Sequence, residues 1–179
     1  MITKEKLGQI YIHASADVID KYLEGLNDAF VKFDISTILR RAAFLAQIGH
    51  ESGELRYTKE IWGPTPAQSK YEGRLDLGNT ERGDGKRFLG RGLIQITGRA
   101  NYTICGKALD LDLLDEPELL EQPRYASLSA AWYWKWRGCN VPADMGDMER
   151  VTKLINGGLN GYEQRMEIYG RALSALSAS

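Results

Sequence analysis

The chain has 179 residues, with 23 lysines and arginines against 24 aspartates and glutamates and a formal net charge of -1. This length suits one domain, which buries roughly two thirds of its unfolded surface. The charge gives none of the excess of lysine and arginine by which proteins bind nucleic acid, so no nucleic-acid partner is expected. A hydrophobic content of 43% excludes wholesale disorder.

The first twenty residues lack the apolar core of a secretory signal, which spans roughly 7–15 residues. Nowhere do about 18 apolar residues run together, so no stable membrane association is expected. We therefore expect the chain to be made and kept in a cytoplasm unless something else releases it. In that reducing compartment Cys105 and Cys139 are predicted to be free, buried thiols.

The first element with a clear pattern is an amphipathic helix over 35–49, preceded by one or two helices before Asp34. Its apolar residues recur at intervals of three and four, and Ser36 is a plausible N-cap. Glu51 follows Phe44 and Ile48 on the same face at i+7 and i+3. The Glu51 carboxylate is therefore expected to be partly desolvated.

The middle of the chain is predicted to be a long loop. Between residues 57 and 84 glycine and proline recur so often that a long helix is excluded, and a loop of this length is usually functional or disordered. The segment LIQIT, at 93–97, alternates apolar and polar residues and predicts a short strand.

Three helices are predicted after this loop, which makes the fold class mainly α with at most a small β element. The first starts at Pro123 and runs to about Trp136, with Gly138 as its stop. The second ends near Ile155, before an Asn-Gly-Gly sequence, and the last runs over about 163–176.

The sequence gives little support to a catalytic zinc site, a cysteine peptidase or a phosphate-binding loop. The two histidines, His13 and His50, are far apart, whereas a catalytic zinc normally needs three protein ligands. Cys105 has no nucleophile context that would indicate a cysteine peptidase, and the glycines over 83–92 match no phosphate-binding motif. No metal and no cofactor is expected.

Two carboxylates fit glycoside hydrolysis better. That reaction needs one protonated carboxyl to donate to the leaving oxygen and one ionised carboxylate on the other side of the sugar. Desolvation raises the pKa of a carboxyl, so Glu51 is the candidate acid, and Glu60, in a polar loop, is the candidate base. Spacing alone leaves surface glutamates as the alternative, and Glu54 and Glu81 as competitors.

Other side chains near these glutamates suit a sugar chain. The aromatic residues offer flat faces for sugar rings, although they can equally be core residues. The uncharged polar residues offer hydrogen bonds, although Asn156 before Gly-Gly can be only a helix C-cap. The candidates are Tyr57, Trp62, Tyr71, Tyr102, Gln95, Thr97, Asn101 and Asn156.

With these residues assembled, the sequence resembles glycoside hydrolase family 19, in particular its phage and prophage lysozyme-like branch. The resemblance covers 34–172, preceded by an N-terminal helical segment over 1–33, in one catalytic domain over 1–179. FLAQIGHESG looks like the family helix that carries the general acid, and KYEGRLDLGNTERGDGKRFLGRGLIQITGRANY is similar to its long central motif. AWYWKW and INGGLNGYEQR match later blocks.

The resemblance implies a lysozyme-like, two-lobed helical fold with a central cleft and inversion at the anomeric carbon without a metal. It makes Glu51 the general acid and Glu60 the general base, and Thr97 the residue that holds the attacking water. It places the remaining residues in or beside the cleft as substrate-binding residues: His50, Trp62, Gln95, Asn101, Tyr102, Asn156 and Arg165. Inversion requires the two carboxyls to lie roughly 6.5–9.5 Å apart.

Two departures bear on the substrate. Plant chitinases of the family carry a lysine and a tyrosine where this chain has Leu128 and Ala100, and they carry a cysteine framework that this chain lacks. We therefore expect a phage-type endolysin that cleaves the glycan strand of peptidoglycan as a muramidase. It is expected to be a monomer that waits in the host cytoplasm until a separate holin-type pore releases it to the periplasm. A chitinase of the same family, a glucosaminidase, a transglycosylase and an inactive glycan-binding module remain alternatives.

Overall fold

The computed structural model describes all 179 residues and is mainly helical, as predicted. Short 3-10 helices lie over Leu75–Leu77 and Pro117–Glu121. The ten α-helices are α1 (Lys4–Ile10), α2 (Ala16–Lys32), α3 (Ile38–Glu51), α4 (Pro66–Ser69), α5 (Asp84–Arg87), α6 (Arg99–Leu109), α7 (Pro123–Trp136), α8 (Asn140–Asp144), α9 (Met148–Asn156) and α10 (Tyr162–Ser177).

Helix α3 is the central element of the fold, because every residue over 42–49 is buried. It packs chiefly against α10 and also contacts α7, α8 and α9. Phe44 meets Trp134 of α7 edge to face, with ring centroids 5.6 Å apart. Because aromatic pairs of this geometry add to the energy of burial, α3 is held firmly, and the residue at its C-terminus is held with it.

The predicted helix over 35–49 is confirmed, but its N-cap is one residue further on. Thr37, not Ser36, accepts a hydrogen bond from the Arg40 N–H group at 3.1 Å. The Ser36 hydroxyl instead donates to the Asp34 carboxylate. The other predicted helices, one or two before Asp34 and three from Pro123 onwards, are also present, whereas α4, α5, α6 and α8 were not predicted.

The predicted strand over 93–97 is absent. Backbone hydrogen bonds join Arg91 and Ile96 in both directions, at 3.1 and 2.8 Å, and the residues between them form a turn. Leu93 and Ile94 are adjacent yet both buried, which a strand with alternating faces does not allow. The turn leaves Gln95 exposed between buried neighbours.

The long stretch between α3 and α6, predicted to be a loop without a long helix, contains the short helices α4 and α5 and one 3-10 helix. Its conformation is held by a charged cluster around Asp84, which is 1% exposed. Arg99 donates to both oxygens of Asp84, each at 2.8 Å. This contact holds the pKa of the Asp84 carboxyl below its ordinary value of 3.8.

The hydrophobic core is one cluster that reaches from Ile2 to Ala175. Both cysteines lie in it as free thiols, as predicted, and burial raises the pKa of Cys105 and of Cys139 to about 12. No helix combines the length and the apolar character that a membrane crossing requires.

Candidate active site

A cavity of about 240 Å³ lies where the C-terminus of α3 meets the turn over 91–97 and helices α6, α7 and α9. Its walls combine one carboxylate, uncharged polar side chains and apolar or aromatic surface, which is the usual make-up of a sugar site. We call it the acid cavity. It is lined by Glu51, Leu77, Ile94, Gln95, Ile96, Thr97, Asn101, Trp132, Tyr133, Ile155 and Asn156.

Glu51 is presented to this cavity by the last turn of α3, and its side chain is 26% exposed. Arg165 of α10 donates to its Oε1 atom at 2.7 Å. Oε2 accepts no hydrogen bond from the protein, so it is the oxygen that can exchange a proton with a bound molecule. The predicted apolar surroundings of Glu51 are present on the side that faces the cavity. On the opposite side its carboxylate forms an ion pair with Arg165.

Arg165 does not line the cleft, contrary to prediction, because its side chain is completely buried. Besides Glu51, its guanidinium donates to Gln47 Oε1 and to the Asn160 carbonyl oxygen. The Gln47 amide in turn donates to Thr152 of α9. This network joins α3, α9 and α10 beneath Glu51 and fixes the direction of its carboxylate.

The four predicted amide and hydroxyl residues line the acid cavity with Glu51. Gln95 is exposed at the tip of the turn over 91–97, and Thr97 follows it, half-buried. The Asn101 amide donates to the Thr97 carbonyl oxygen at 2.8 Å, which ties the start of α6 to this turn. Asn156 ends α9 and accepts the Asn160 N–H at 3.3 Å, so it caps the chain locally and also faces the cavity.

Glu60 is held rigidly by hydrogen bonds to both of its carboxylate oxygens. Oε1 accepts the Gly90 N–H at 2.6 Å, and Oε2 accepts the Gln68 amide at 3.2 Å and the Tyr71 hydroxyl at 3.3 Å. Both oxygens act as acceptors, which is the role of an ionised carboxylate. Burial, the charge of Glu60 and this hydrogen bond raise the pKa of Tyr71.

Glu60 and Trp62 do not line the acid cavity but a second, larger cavity of about 790 Å³. The two cavities are adjacent at Gly90. On one side, the Gly90 N–H donates to Glu60 of the second cavity. On the other side, Gln95 of the acid cavity packs directly on the Gly90 backbone, because a Cβ atom added at Gly90 would lie 2.8 Å from Gln95 Oε1. The proposed acid and base therefore occupy neighbouring cavities separated by Gly90 and Gln95.

Two further predicted site residues lie elsewhere. Tyr102 is fully buried, with its hydroxyl donating to the Leu89 carbonyl oxygen and accepting from Arg91, so it is a core residue rather than a sugar platform. His50 does not line the acid cavity. Its ring contacts Gln164 and occupies the space above Gly161, which has no room for a side chain and a φ of +69°.

The structure adds site residues that the sequence did not single out. Trp132 and Tyr133 line the acid cavity from α7, and burial, with a smaller contribution from the Glu51 charge, raises the pKa of Tyr133. Gln47 lies four residues before Glu51, a spacing that places both on one face of α3. That spacing could have identified Gln47 as a partner of the acid.

The competing glutamates have structural roles. Glu54 is 6% exposed and accepts hydrogen bonds from Arg171 and from the backbone of His13, so it joins the N-terminal segment to α10. Glu81 pairs with Arg99 beside the Asp84 cluster. No three histidine, cysteine, aspartate or glutamate side chains come together in a metal-binding arrangement.

Comparison with known proteins agrees with this fold. A model of glycoside hydrolase family 19, described as chitinase class I, matches residues 34–148. A family 19 domain-containing protein of Haemophilus influenzae is 34% identical, and the match covers 97% of this chain and 96% of that protein. An endochitinase of Arabidopsis thaliana is 38% identical over 52% of this chain and only 34% of its own length.

The crystal structure of chitinase C from Streptomyces griseus has the same fold. The TM-score is 0.79 at 24% identity, and the match covers 99% of this chain and 77% of that one. Together these matches define the chain as a glycosidase with a lysozyme-like helical fold. It belongs to glycoside hydrolase family 19.

Proposed function

We propose that this glycosidase cleaves a β-1,4-linked polymer of N-acetylated sugars by inversion, with Glu51 as the acid and Glu60 as the base. The observation that carries the proposal is the difference between the two carboxylates. Glu51 has one oxygen fixed by Arg165 and one without a partner, whereas Glu60 accepts hydrogen bonds at both oxygens. A donor and an acceptor on either side of one bond are what inversion needs.

The reaction follows from these contacts. Glu51 Oε2 gives its proton to the glycosidic oxygen as that bond breaks, and Arg165 stabilises the carboxylate left behind. Glu60 takes a proton from a water molecule, whose oxygen attacks the anomeric carbon from the opposite face. Thr97, near the tip of the turn that separates the two cavities, holds this water. The product has the opposite anomeric configuration.

The sugar chain must cross Gln95 to contact both carboxylates. Gln95 is exposed and makes no hydrogen bond within the protein, so its side chain can turn aside or bond to the sugar. The aromatic surface of Trp132 and Tyr133 lies on one side of this crossing and that of Trp62 on the other. A strand of several sugars would therefore occupy both cavities at once.

For the polymer itself we propose peptidoglycan, cleaved as by a phage-type endolysin with muramidase activity. Ala100, where plant chitinases carry a tyrosine, packs against Gly78 beside Leu77 of the acid cavity, so no phenol ring stands at this position. Leu128, the other departure, is buried and lines neither the acid cavity nor the second one, so it gives no information about the substrate.

Chitin is the second candidate. It is favoured by the names of the plant relatives, which are endochitinases, and of the structural neighbour, a chitinase. Peptidoglycan and chitin share the β-1,4 linkage and the N-acetyl groups, so the acid cavity accepts either. Peptidoglycan differs from chitin by its lactyl and peptide substituents, which a second binding site could recognise.

In the endolysin role the enzyme would act as a monomer on the glycan strand in the periplasm. It would stay in the host cytoplasm until a separate holin-type pore released it. These aspects rest on the resemblance to the phage branch and need the lysis phenotype to test them.

The proposed function is tested by assaying wild-type enzyme and the Glu51→Gln variant on purified sacculi and on N-acetylglucosamine oligomers. We expect the wild type to release fragments with reducing N-acetylmuramic ends, detected by mass spectrometry, and the folded variant to release none. Reducing N-acetylglucosamine ends would indicate a glucosaminidase, and anhydro ends a transglycosylase. Cleavage of the oligomers alone would overturn peptidoglycan in favour of chitin.

A further inference from the structure

The cavity that Glu60 and Trp62 line is the larger of the two described and has a distinctive charge. It lies between the segment over 59–62, helix α5 and the start of the second 3-10 helix. We call it the basic cavity. Its lining comprises Lys59, Glu60, Ile61, Trp62, Gly83, Lys86, Arg87, Leu89, Arg91, Pro117 and Glu118.

Positive charge predominates there, with four cationic side chains against the carboxylates of Glu60 and Glu118. Glu60 is already engaged by three donors. Lys86 has no carboxylate partner, and the Lys59 ammonium lies 3.8 Å from Glu121, which is itself bonded to Arg91. Lys86 therefore presents charge that no carboxylate of the protein neutralises, and Lys59 shares its one carboxylate partner with Arg91.

The walls that carry these lysines are fixed by backbone contacts. On one side Lys59 pairs with Arg91 in an antiparallel bridge, and the Glu60 N–H donates to the Gly90 carbonyl oxygen at 2.9 Å. On the other side the Glu72 carboxylate accepts the N–H groups that flank the start of α5, which carries Lys86. Cations held on rigid elements recognise a partner at a smaller cost in entropy.

We propose that the basic cavity binds the free carboxylates of the peptide stem on the N-acetylmuramic residue, and so selects peptidoglycan. This inference rests on the proposed function. A glycan strand that contacts both Glu51 and Glu60 must run past the mouth of the basic cavity, since Glu60 lies on its wall. Substituents on the ring beside Glu60 then lie within reach of Lys59 and Lys86. Chitin carries no anionic group and gains nothing there.

The test measures binding to soluble glycan strands that keep their peptide stems and to soluble β-1,4-linked N-acetylglucosamine strands, which carry no carboxylate. It uses the Glu51→Gln variant, so that no cleavage occurs, with and without the added Lys59→Glu and Lys86→Glu substitutions. Because exposed charge pairs are individually weak, we expect the double charge reversal to weaken binding of stemmed strands by about tenfold. Binding of the N-acetylglucosamine strands should change by less than about twofold, as no charge contact is lost.

The matched control is Lys21→Glu, which reverses an exposed lysine of α2 that lines neither cavity. It should bind both kinds of strand as the parent does. Equal weakening for stemmed strands and N-acetylglucosamine strands, or no weakening for either, would overturn the basic cavity as a stem site. Cleavage by the wild type is scored separately. If it cuts only chitin oligomers, peptidoglycan hydrolysis fails, while the binding comparison still decides what the cavity recognises.

Discussion

The completely buried guanidinium of Arg165 donates to Glu51, the one carboxylate that the acid cavity contains, at 2.7 Å. The same guanidinium also holds Gln47 and the Asn160 carbonyl oxygen. Three acceptors on two different parts of the chain are thus satisfied by one planar group. In the proposed mechanism Arg165 is a positioning residue that sets the direction of the Glu51 carboxylate.

Replacing Arg165 by lysine keeps the charge but removes the fork, because a single ammonium cannot reach all three acceptors with the same geometry. We expect kcat to fall by about 10- to 100-fold, since a small displacement of a catalytic group has effects of that size. KM should change little, because Arg165 does not contact the substrate. Steady-state kinetics on the substrate that the wild type cleaves, with a pH profile, measure this.

Arg171→Lys is the control for that substitution, because Arg171 lies on the same helix and pairs with the structural Glu54. Its effect should be confined to thermal stability. If Arg165→Lys behaves in the same way, with a lower unfolding temperature but an unchanged kcat for the folded enzyme, the positioning role is wrong.

Glu60→Gln removes the base while leaving an amide that can still accept a hydrogen bond from Gly90. We expect kcat to fall by about 10²–10⁴-fold, the usual contribution of a general base. Circular dichroism should show a folded protein. Glu24→Gln, at an exposed position of α2, is the control and should retain full activity. Near-normal turnover by Glu60→Gln would transfer the role of base to another group.

Thr97→Ala tests the position of the attacking water. The Thr97 hydroxyl makes no hydrogen bond within the protein, while its carbonyl oxygen accepts from Asn101, so alanine should leave the backbone in place. We expect a loss of about 10- to 100-fold in kcat, smaller than that of the acid or base, because water positioning supports the general base. Thr97→Ser keeps the hydroxyl and should restore most of the activity. An equal loss for alanine and serine would indicate a packing effect instead.

The Asp84–Arg99 pair predicts a pH-dependent stability. Hydrogen bonds from Arg99 hold the pKa of Asp84 below its ordinary value of 3.8, so the pair stabilises the fold above that pH and the effect is lost as pH falls through the native pKa. At pH 7, Asp84→Asn should lower the free energy of unfolding by about 2 kcal/mol. Below about pH 4 the difference from wild type should shrink.

Urea unfolding at a series of pH values checks this prediction. Asp115→Asn, at an exposed position without a side-chain partner, serves as the control and should show no such dependence. A difference between Asp84→Asn and wild type that stays constant down to pH 3 would contradict the ion-pair explanation.

Helices with a regular apolar period were predictable from the sequence, and α3 lies within three residues of its expected start. Helix α6 was not, because its first turn is polar and it begins at Gly98 without a side-chain cap. The segment over 93–97 has the composition of a strand, but hydrogen bonds between Arg91 and Ile96 close it into a turn. The alternation of apolar and polar residues in this segment does not predict those hydrogen bonds.

The residues of the candidate site also divide into those whose place the sequence predicts and those whose place it does not. Glu51 and the polar residues around it were singled out from motif positions, and they do line one cavity, while their catalytic and binding roles stay predictions. The burial of Arg165 depends on contacts 114 residues apart along the chain, and that of Tyr102 on the packing of its hydroxyl under Leu89. The place of Glu60 depends on Gly90, thirty residues away. Such tertiary contacts are invisible to spacing within one segment.

The most direct test of the acid–base pair is the anomeric configuration of the first product. Proton NMR of the sugar released from a β-1,4-linked N-acetylglucosamine oligomer or glycan strand, recorded before mutarotation, reports it. With Glu51 as acid and Glu60 activating water across the bond, the new reducing end should be the α-anomer. A β-anomer would show retention and would contradict the assignment of these two carboxylates.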